Sequence, residues 1–188
     1  MKKLPLRRKL LFALVVALGS LGCVEVGFRV YWAIRQAERA SNVEFDPVCD
    51  FRLRAGIEAT FGSHGDQHPF TTNALHHRGP APEGPKPPGG YRVACLGAST
   101  AFGCGVTADD RTYPAVLESA LRAARPNRVI EVLNAGCPGW RLRHSLDNFA
   151  VRLEPLDFDL VVINHASNDL YDGADPVYQA RSRRAPGD

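Results

Sequence analysis

The sequence lacks an excess of basic residues outside its first 39 residues, and this lack argues against a nucleic acid partner. Residues 1–39 carry eight Lys and Arg against two acidic residues, whereas residues 40–188 carry fifteen against eighteen. The formal net charge of +3 therefore belongs to the N-terminal segment. Proteins that bind nucleic acid present a basic patch to the phosphate backbone, and the larger part of this chain is net acidic. We therefore expect no nucleic acid partner.

Cysteine is scarce and irregularly spaced, so no metal or disulfide pattern stands out. The chain has no Cys-x-x-Cys pair among its five cysteines, which are Cys23, Cys49, Cys95, Cys104 and Cys137. Cys95 lies inside an apolar run and is predicted to be a small buried residue. A disulfide between Cys104 and Cys137 is one open pairing, since sequence alone assigns none.

Histidine is present but does not follow a metal-binding pattern. Four histidines precede residue 80, at His64, His68, His76 and His77. Together with Cys49 they match no zinc-ligand spacing, and exposed loop histidines are the better interpretation. We expect neither a metal nor a cofactor.

Nucleotide-binding motifs are also lacking. Residues 103–108 (GCGVTA) fit a dinucleotide pattern, but they begin six residues after a predicted strand ends, and no helix opens at once. The stretch from Gly97 to Gly103 lacks the Lys-Ser/Thr of a phosphate-binding loop. Ala101 stands where the nucleophile elbow of α/β-hydrolases has its last glycine. The sequence favours none of these three sites.

The N-terminus reads as an export signal. A basic segment at residues 1–9 precedes an uncharged apolar run at 10–24, which as a helix spans roughly 22 Å, short of a bilayer core of about 30 Å. Extension to Phe28 gives a transmembrane signal anchor over 10–28, with the basic segment cytoplasmic. Small residues before Cys23 leave cleavage or lipidation as alternatives. We favour an uncleaved single-pass anchor with the remainder extracytoplasmic.

Composition divides the rest of the chain in two. Residues 29–90 are predicted to form a stalk and a Pro/Gly-rich linker, and residues 91–188 a globular domain. Apolar runs at 92–96, 128–134 and 160–165 indicate buried strands, and apolar residues at helical spacing indicate helices at 113–124 and 141–153. This alternation predicts an α/β domain whose parallel sheet is covered by helices on both faces.

The ends of the three predicted strands carry residues suited to ester chemistry. They read GAST at 97–100, NAGCPG at 134–139 and ASND at 166–169. In open parallel sheets, ligands bind beyond the carboxyl ends of the strands. A serine hydroxyl at a tight turn can be a nucleophile, while backbone N–H groups and an amide side chain can hold an oxyanion.

These three segments resemble blocks I, II and III of the SGNH/GDSL hydrolase family, over roughly residues 71–173. The resemblance implies a three-layer α/β/α fold with a flavodoxin-like parallel sheet. It implies Ser99 as nucleophile, with an oxyanion hole formed by the Ser99 N–H, the Gly136 N–H and the Asn168 side chain. Asp169 would fix the loop rather than take part in the chemistry. Ala98 and Ala166 replace the Asp and Gly that the family often has.

The family's Asp-x-x-His block, which supplies the general base, is not matched. All six histidines of the sequence lie upstream of residue 166, and none stands in that motif. We therefore expect the chain as given to be the N-terminal part of such a domain, C-terminally incomplete, aggregation-prone without residues 1–40, and inactive. His165 ends the third predicted strand and is the first candidate for a substitute base.

The resemblance implies an exported, membrane-tethered serine ester hydrolase. Its substrates would be acetyl esters of envelope polysaccharide or small lipid esters, cleaved through an acyl-serine intermediate. Two alternatives stay open at this point. One is an envelope sugar O-acyltransferase that uses the same site, and the other is a non-catalytic module.

Overall fold

The computed structural model describes residues 5–63, 66–165 and 167–172, and contacts divide the chain into two units, residues 1–41 and 42–188. Several residues of the sequence analysis lie outside the described residues. They are Lys2, Lys3, His64, Ala166 and residues 173–188.

The first unit contains one long helix, α1 (Leu6–Ser41). Its segment Leu6–Ile34 is long and apolar enough to cross a membrane, since 29 helical residues span about 44 Å. The predicted anchor at 10–28 lies within this segment. Just beyond it, Arg29 Nε donates to Glu25 Oε1 at 2.7 Å, one turn away. The orientation of the helix across a membrane stays a prediction.

The second unit begins with two β-hairpins, where the sequence analysis predicted a stalk and linker. Strands β1 (Val43–Asp46) and β2 (Asp50–Leu53) pair antiparallel, as do β3 (Glu58–Ser63) and β4 (Asp66–Thr71). Cys49, Leu53 and Phe70 of this region are buried with Phe102, Cys137 and Trp140 in one apolar cluster. The linker prediction is therefore wrong for 43–71, because these short strands are stabilised by contacts with residues far along the chain. Residues 80–90 carry no helix or strand.

The parallel α/β prediction is confirmed. Strands β5 (Tyr91–Gly97), β6 (Ile130–Gly136) and β7 (Leu160–Asn164) form a parallel sheet in the order β6-β5-β7. Each lies within about two residues of a predicted strand. Apolar clusters cover both faces of the sheet: Ala94, Leu96, Leu133 and Ala135 on one face, and Val93, Cys95, Ile130 and Val132 on the other. Cys95 is buried as predicted, and burial raises the pKa of its thiol to about 11.

The connecting helices position the strand ends. A short helix, α2 (Ser99–Phe102), follows β5, and α3 (Tyr113–Ala124) precedes β6. The helix predicted at 141–153 is divided into α4 (Leu142–Asn148) and a π-helical turn at Phe149–Leu153. Helix α5 (Ser167–Asp172) follows β7.

Candidate active site

The three strands of the sheet end level with one another. Gly97 at the end of β5 is paired with Gly136 of β6 on one side and with Asn164 of β7 on the other. Neighbouring strands lie about 4.8 Å apart, so the segments that follow them emerge side by side. Ser99, the turn after Gly136 and the start of helix α5 with Asn168 therefore share the carboxyl edge of the sheet, where the sequence predicted a site.

Ser99 begins helix α2 and is half-buried, while the next turn is anchored beneath it. Ala101 and Phe102 are fully buried. The Gly103 and Cys104 N–H groups both donate to the Ser99 carbonyl oxygen, at 3.0 and 2.9 Å. The first N–H groups of a helix have no partner within it, so the Ser99 N–H is not used by α2. The Ser99 hydroxyl has no hydrogen-bond partner among the residues that the structure describes.

Two glycines allow α2 to lie directly against the strand ends. A Cβ on Gly97 would lie 2.5 Å from the Ala101 Cβ, and a Cβ on Gly136 would overlap the Phe102 nitrogen. Real Cβ atoms do not tolerate such distances. Both positions therefore require glycine for close packing beneath the turn that carries Ser99.

Arg78 holds the other end of α2. Its guanidinium is buried, lies 5.0 Å from the Phe102 ring centroid, and donates through Nη1 to the Gly103 carbonyl oxygen at 2.9 Å. Its Nε donates to Asp109 Oδ1 at 2.6 Å. A planar fork with several donors can satisfy separate acceptors at once, which explains how a charged group is buried here.

Gly136, expected above to be an oxyanion donor, uses its N–H elsewhere in the structure. Its N–H already donates to Asn134 Oδ1 at 3.1 Å, and the residue is buried beneath α2. The Asn134 amide nitrogen in turn donates to the Phe102 carbonyl oxygen at 3.4 Å. Gly136 therefore serves close packing.

The glycine that the sequence analysis missed is Gly139. It is exposed, has a φ of +86°, and occupies a turn closed by the Trp140 N–H and the Cys137 carbonyl oxygen at 3.1 Å. Proline in the second position and glycine in the third suit such a turn, which leaves the third residue's N–H outside its hydrogen bond. The Gly139 N–H makes no hydrogen bond with the described residues. The Pro138-Gly139 pair was the available signal.

Asn168 is held by the same turn. Its Nδ2 donates to the Trp140 carbonyl oxygen at 2.8 Å, and an amide nitrogen has a second hydrogen left to donate. Trp140 is itself buried, and its indole Nε1 donates to the Phe51 carbonyl oxygen at 2.8 Å. Next to Asn168, Asp169 Oδ1 accepts the Leu142 N–H at 2.9 Å, which agrees with the loop-fixing role expected for it.

Comparison with known proteins gives one family match. The model of the GDSL-like Lipase/Acylhydrolase family matches residues 95–184, a segment that starts in β5 and includes Ser99, the 137–140 turn and Asn168. This match supports an SGNH/GDSL hydrolase domain for residues 95–184. No curated protein matches the chain significantly. The family assigns an α/β/α SGNH fold and, in general terms, a hydrolase that acts on ester bonds.

This GDSL-family domain has no described histidine bonded to Ser99. Four described histidines have partners elsewhere: His76 with the Leu53 carbonyl oxygen, His77 with Asn148, His144 with Asp50, and His165 with Ser145. Burial lowers the pKa of His77 to about 3 and lowers the pKa of His165 as well. His68 lies on β4, opposite Phe61. His165, the substitute base considered above, directs Nε2 to Ser145 instead.

The cysteines of the second unit are thiols in the structure. Cys49 and Cys137 are buried, Cys104 is half-buried, and the three pack in one apolar cluster. The disulfide left open between Cys104 and Cys137 is not formed. Burial raises the pKa of Cys49 to about 11 and raises that of Cys137 further. Thiols with such pKa values are poor nucleophiles at neutral pH.

Proposed function

We propose that the protein is a membrane-tethered serine ester hydrolase in which Ser99 is the nucleophile. One observation carries the proposal. The Ser99 hydroxyl stands at the carboxyl edge of the sheet without a structural partner among the described residues, while Ala101 and Phe102 fix its backbone. A hydroxyl that stabilises nothing, on a tightly packed turn, suits a reacting group.

The reaction would proceed through an acyl-enzyme. The Ser99 oxygen attacks the ester carbonyl, the alcohol leaves with a proton, and water then releases the acid and restores Ser99. Negative charge on the carbonyl oxygen would be held by the Ser99 N–H, the second Nδ2 hydrogen of Asn168 and the exposed Gly139 N–H, which replaces Gly136 in this role. Each donor would supply part of the transition-state stabilisation.

The general base is not one of the four described histidines whose partners are named above. Each of the four with a named partner is engaged away from Ser99, and an unassisted serine hydroxyl is a weak nucleophile at neutral pH. We therefore propose that the 188-residue chain by itself has no appreciable esterase activity, and that a base supplied from outside restores part of it.

The expected extracytoplasmic location of the site limits the classes of ester that it can reach. A basic start followed by α1 supports an anchor whose C-terminal side is extracytoplasmic, where acetyl esters of envelope polysaccharide and small lipid esters occur. A reporter enzyme fused after Ser41 should be active outside the cytoplasm, and one active only inside would contradict this orientation. Acyl transfer to a sugar hydroxyl instead of water would be seen in the products.

The catalytic proposal is tested on the full chain in detergent micelles. Hydrolysis of a chromogenic acetyl ester is measured with and without added imidazole, for the unmodified chain, Ser99→Ala and Thr100→Ala. Thr100 is the neighbouring exposed hydroxyl and serves as the matched control. With imidazole, the unmodified chain and Thr100→Ala should exceed Ser99→Ala. Equal rates in all three would overturn Ser99 as the nucleophile.

A further inference from the structure

Three side chains link the start of helix α5, which carries Asn168, to helix α4. The Ser145 hydroxyl lies 2.8 Å from His165 Nε2, and His165 Nδ1 lies 3.6 Å from Asp169 Oδ2. The His165 side chain is 3% exposed and Ser145 is fully buried. Serine, histidine and aspartate in this order resemble a catalytic triad, but Ser145 has no surface that an ester could reach. We therefore consider these three side chains for a structural role, in which they hold one another in position.

The contact with Ser145 and the nearby Asp169 carboxylate together favour one tautomer of His165. Neutral imidazole has one donor and one acceptor nitrogen. His165 Nδ1 and Asp169 Oδ2 are both buried, and neither has a hydrogen-bond partner among the described residues. At 3.6 Å from each other, they lie just beyond hydrogen-bond distance and within reach of an electrostatic contact. If the proton were on Nε2, two acceptors would face each other at Nδ1 and Oδ2. With the proton on Nδ1, the imidazole donates towards Asp169 and accepts the Ser145 hydroxyl hydrogen.

The surroundings favour the neutral ring. Burial lowers the pKa of His165, the nearby His144 of α4 lowers it further, and Asp169 of α5 opposes them. The net direction is downward, so the ring is uncharged at neutral pH. A neutral ring that donates through Nδ1 leaves Asp169 Oδ1 available to accept from the backbone.

Asp169 connects His165 to the residues around Asn168. Its Oδ1 accepts the Leu142 N–H at 2.9 Å, at the start of the helix that also carries Ser145. The adjacent Asn168 donates to the Trp140 carbonyl oxygen. Three contacts thus join residues 165–169 to residues 140–145, and His165 supplies one of them through Ser145.

We propose that His165 is a positioning residue that, as the neutral Nδ1–H tautomer, orients Asp169 and thereby fixes the Asn168 amide for the oxyanion. Only the role of the Asn168 amide in binding the oxyanion rests on the proposed function. The coupling of His165 to Asn168 holds or fails by itself.

Two substitutions distinguish the contact of His165 with Asp169 from its contact with Ser145. An asparagine amide nitrogen occupies nearly the place of Nδ1, so His165→Asn keeps a donor towards Asp169. A glutamine amide reaches the place of Nε2, so His165→Gln keeps the contact with Ser145 and loses the donor towards Asp169. If His165 acts only by filling space, the two variants should behave alike.

The test uses the full chain in micelles and nitrogen NMR. We expect the unmodified His165 ring to be neutral and protonated at Nδ1, and the Asn168 side-chain amide to exchange its hydrogens slowly. His165→Gln should shift the Asn168 signals and raise their exchange rate at least tenfold, whereas His165→Asn should leave that rate within about threefold. A ring protonated at Nε2, or unchanged Asn168 signals in His165→Gln, would overturn the proposal.

A kinetic measurement distinguishes failure of the positioning role of His165 from failure of the proposed esterase function. In the imidazole-supplemented assay, His165→Gln should lower the Ser99-dependent kcat at least tenfold with little change in KM, less than the 10²–10³ that loss of an oxyanion donor costs. If His165→Gln shifts the Asn168 signals but no Ser99-dependent turnover is found, the proposed function is rejected and the positioning role of His165 stands. Ser99-dependent turnover that is equal in both variants would reject the positioning role alone.

Discussion

The Trp140 indole donates a 2.8 Å hydrogen bond to the Phe51 carbonyl oxygen, and this bond ties the first hairpin to the edge of the sheet. The same residue accepts from Asn168 through its own carbonyl oxygen. The hairpin that sequence analysis took for a linker therefore supports the loop that carries the amide of the site.

Replacement of the indole should weaken this support. In Trp140→Phe the N–H is lost and the Phe51 carbonyl loses its partner, while a cavity opens in a buried cluster. We expect the free energy of unfolding to fall by about 2–4 kcal/mol, read from urea titrations of the full chain in micelles. Trp32→Phe on the exposed surface of α1 is the control and should leave the transition of the second unit unchanged. Equal midpoints for the two variants would contradict the support role.

The two glycines after Asn134 should respond differently to a methyl group. Gly136→Ala places a Cβ against the Phe102 nitrogen and the Ala101 carbonyl carbon, so we expect a loss of stability of about 3 kcal/mol or more. Gly139→Ala meets only Phe51 Cζ at 3.4 Å but must keep a φ of +86°, which costs about 1–2 kcal/mol. Urea titrations of both variants measure this. A more stable Gly136→Ala would show that α2 does not lie against β6 as described.

Loss of the Asn168 amide should affect chemistry more than folding. Asn168→Ala removes one oxyanion donor, and we expect the Ser99-dependent rate with imidazole to fall by about 10²–10³. Asn168→Asp is the stricter comparison, because it keeps the size but replaces the donor by an acceptor. Retained turnover in Asn168→Asp would remove Asn168 from the oxyanion hole.

Buried His77 should make the second unit sensitive to mild acid. Its pKa is lowered from 6.5 to about 3 by burial, with small contributions from His76, Arg152 and Arg52. A lowered pKa means that the unfolded chain binds the proton first, so its stabilising contribution is complete above pH 6.5 and is lost as the pH falls towards 3. Each pH unit in that window costs about 1.4 kcal/mol.

The His77 effect is isolated by substitution. His77→Gln can keep a polar partner for Asn148 without titrating, so its free energy of unfolding should fall less steeply between pH 6.5 and pH 5 than that of the unmodified chain, by about 2 kcal/mol over the interval. His144 and His165, whose pKa values are also lowered, titrate in both proteins. Parallel curves would show that His77 is not the buried neutral group described here.

The sheet and the position of Ser99 were predictable because local patterns determine them. Strands β5 and β6, buried on both faces, are near-continuous apolar runs, and parallel strands bring their carboxyl ends to one edge. The first hairpins were not predictable in this way. Strands β1 and β2 have four residues each, and the bond from Trp140 to Phe51 joins residues 89 positions apart.

Details of the site escaped sequence reasoning for a similar reason. Gly136 and Gly139 look alike in the sequence, and only the packing of Phe102 against one of them shows that its N–H is enclosed. His165 suggested a substitute base because it follows a strand. Its partner Ser145 lies on a helix whose rotation no local pattern fixes.

The central claim is that Ser99 is the nucleophile and that its base is not one of the four described histidines whose partners are named above. The most direct measurement is the rate of acetyl ester hydrolysis by the full chain and by Ser99→Ala, first without and then with imidazole. We expect the two rates to be equal without imidazole and to differ with it, in favour of the unmodified chain. Ser99-dependent turnover without imidazole would contradict the account and would make His165 the first residue to test as the base.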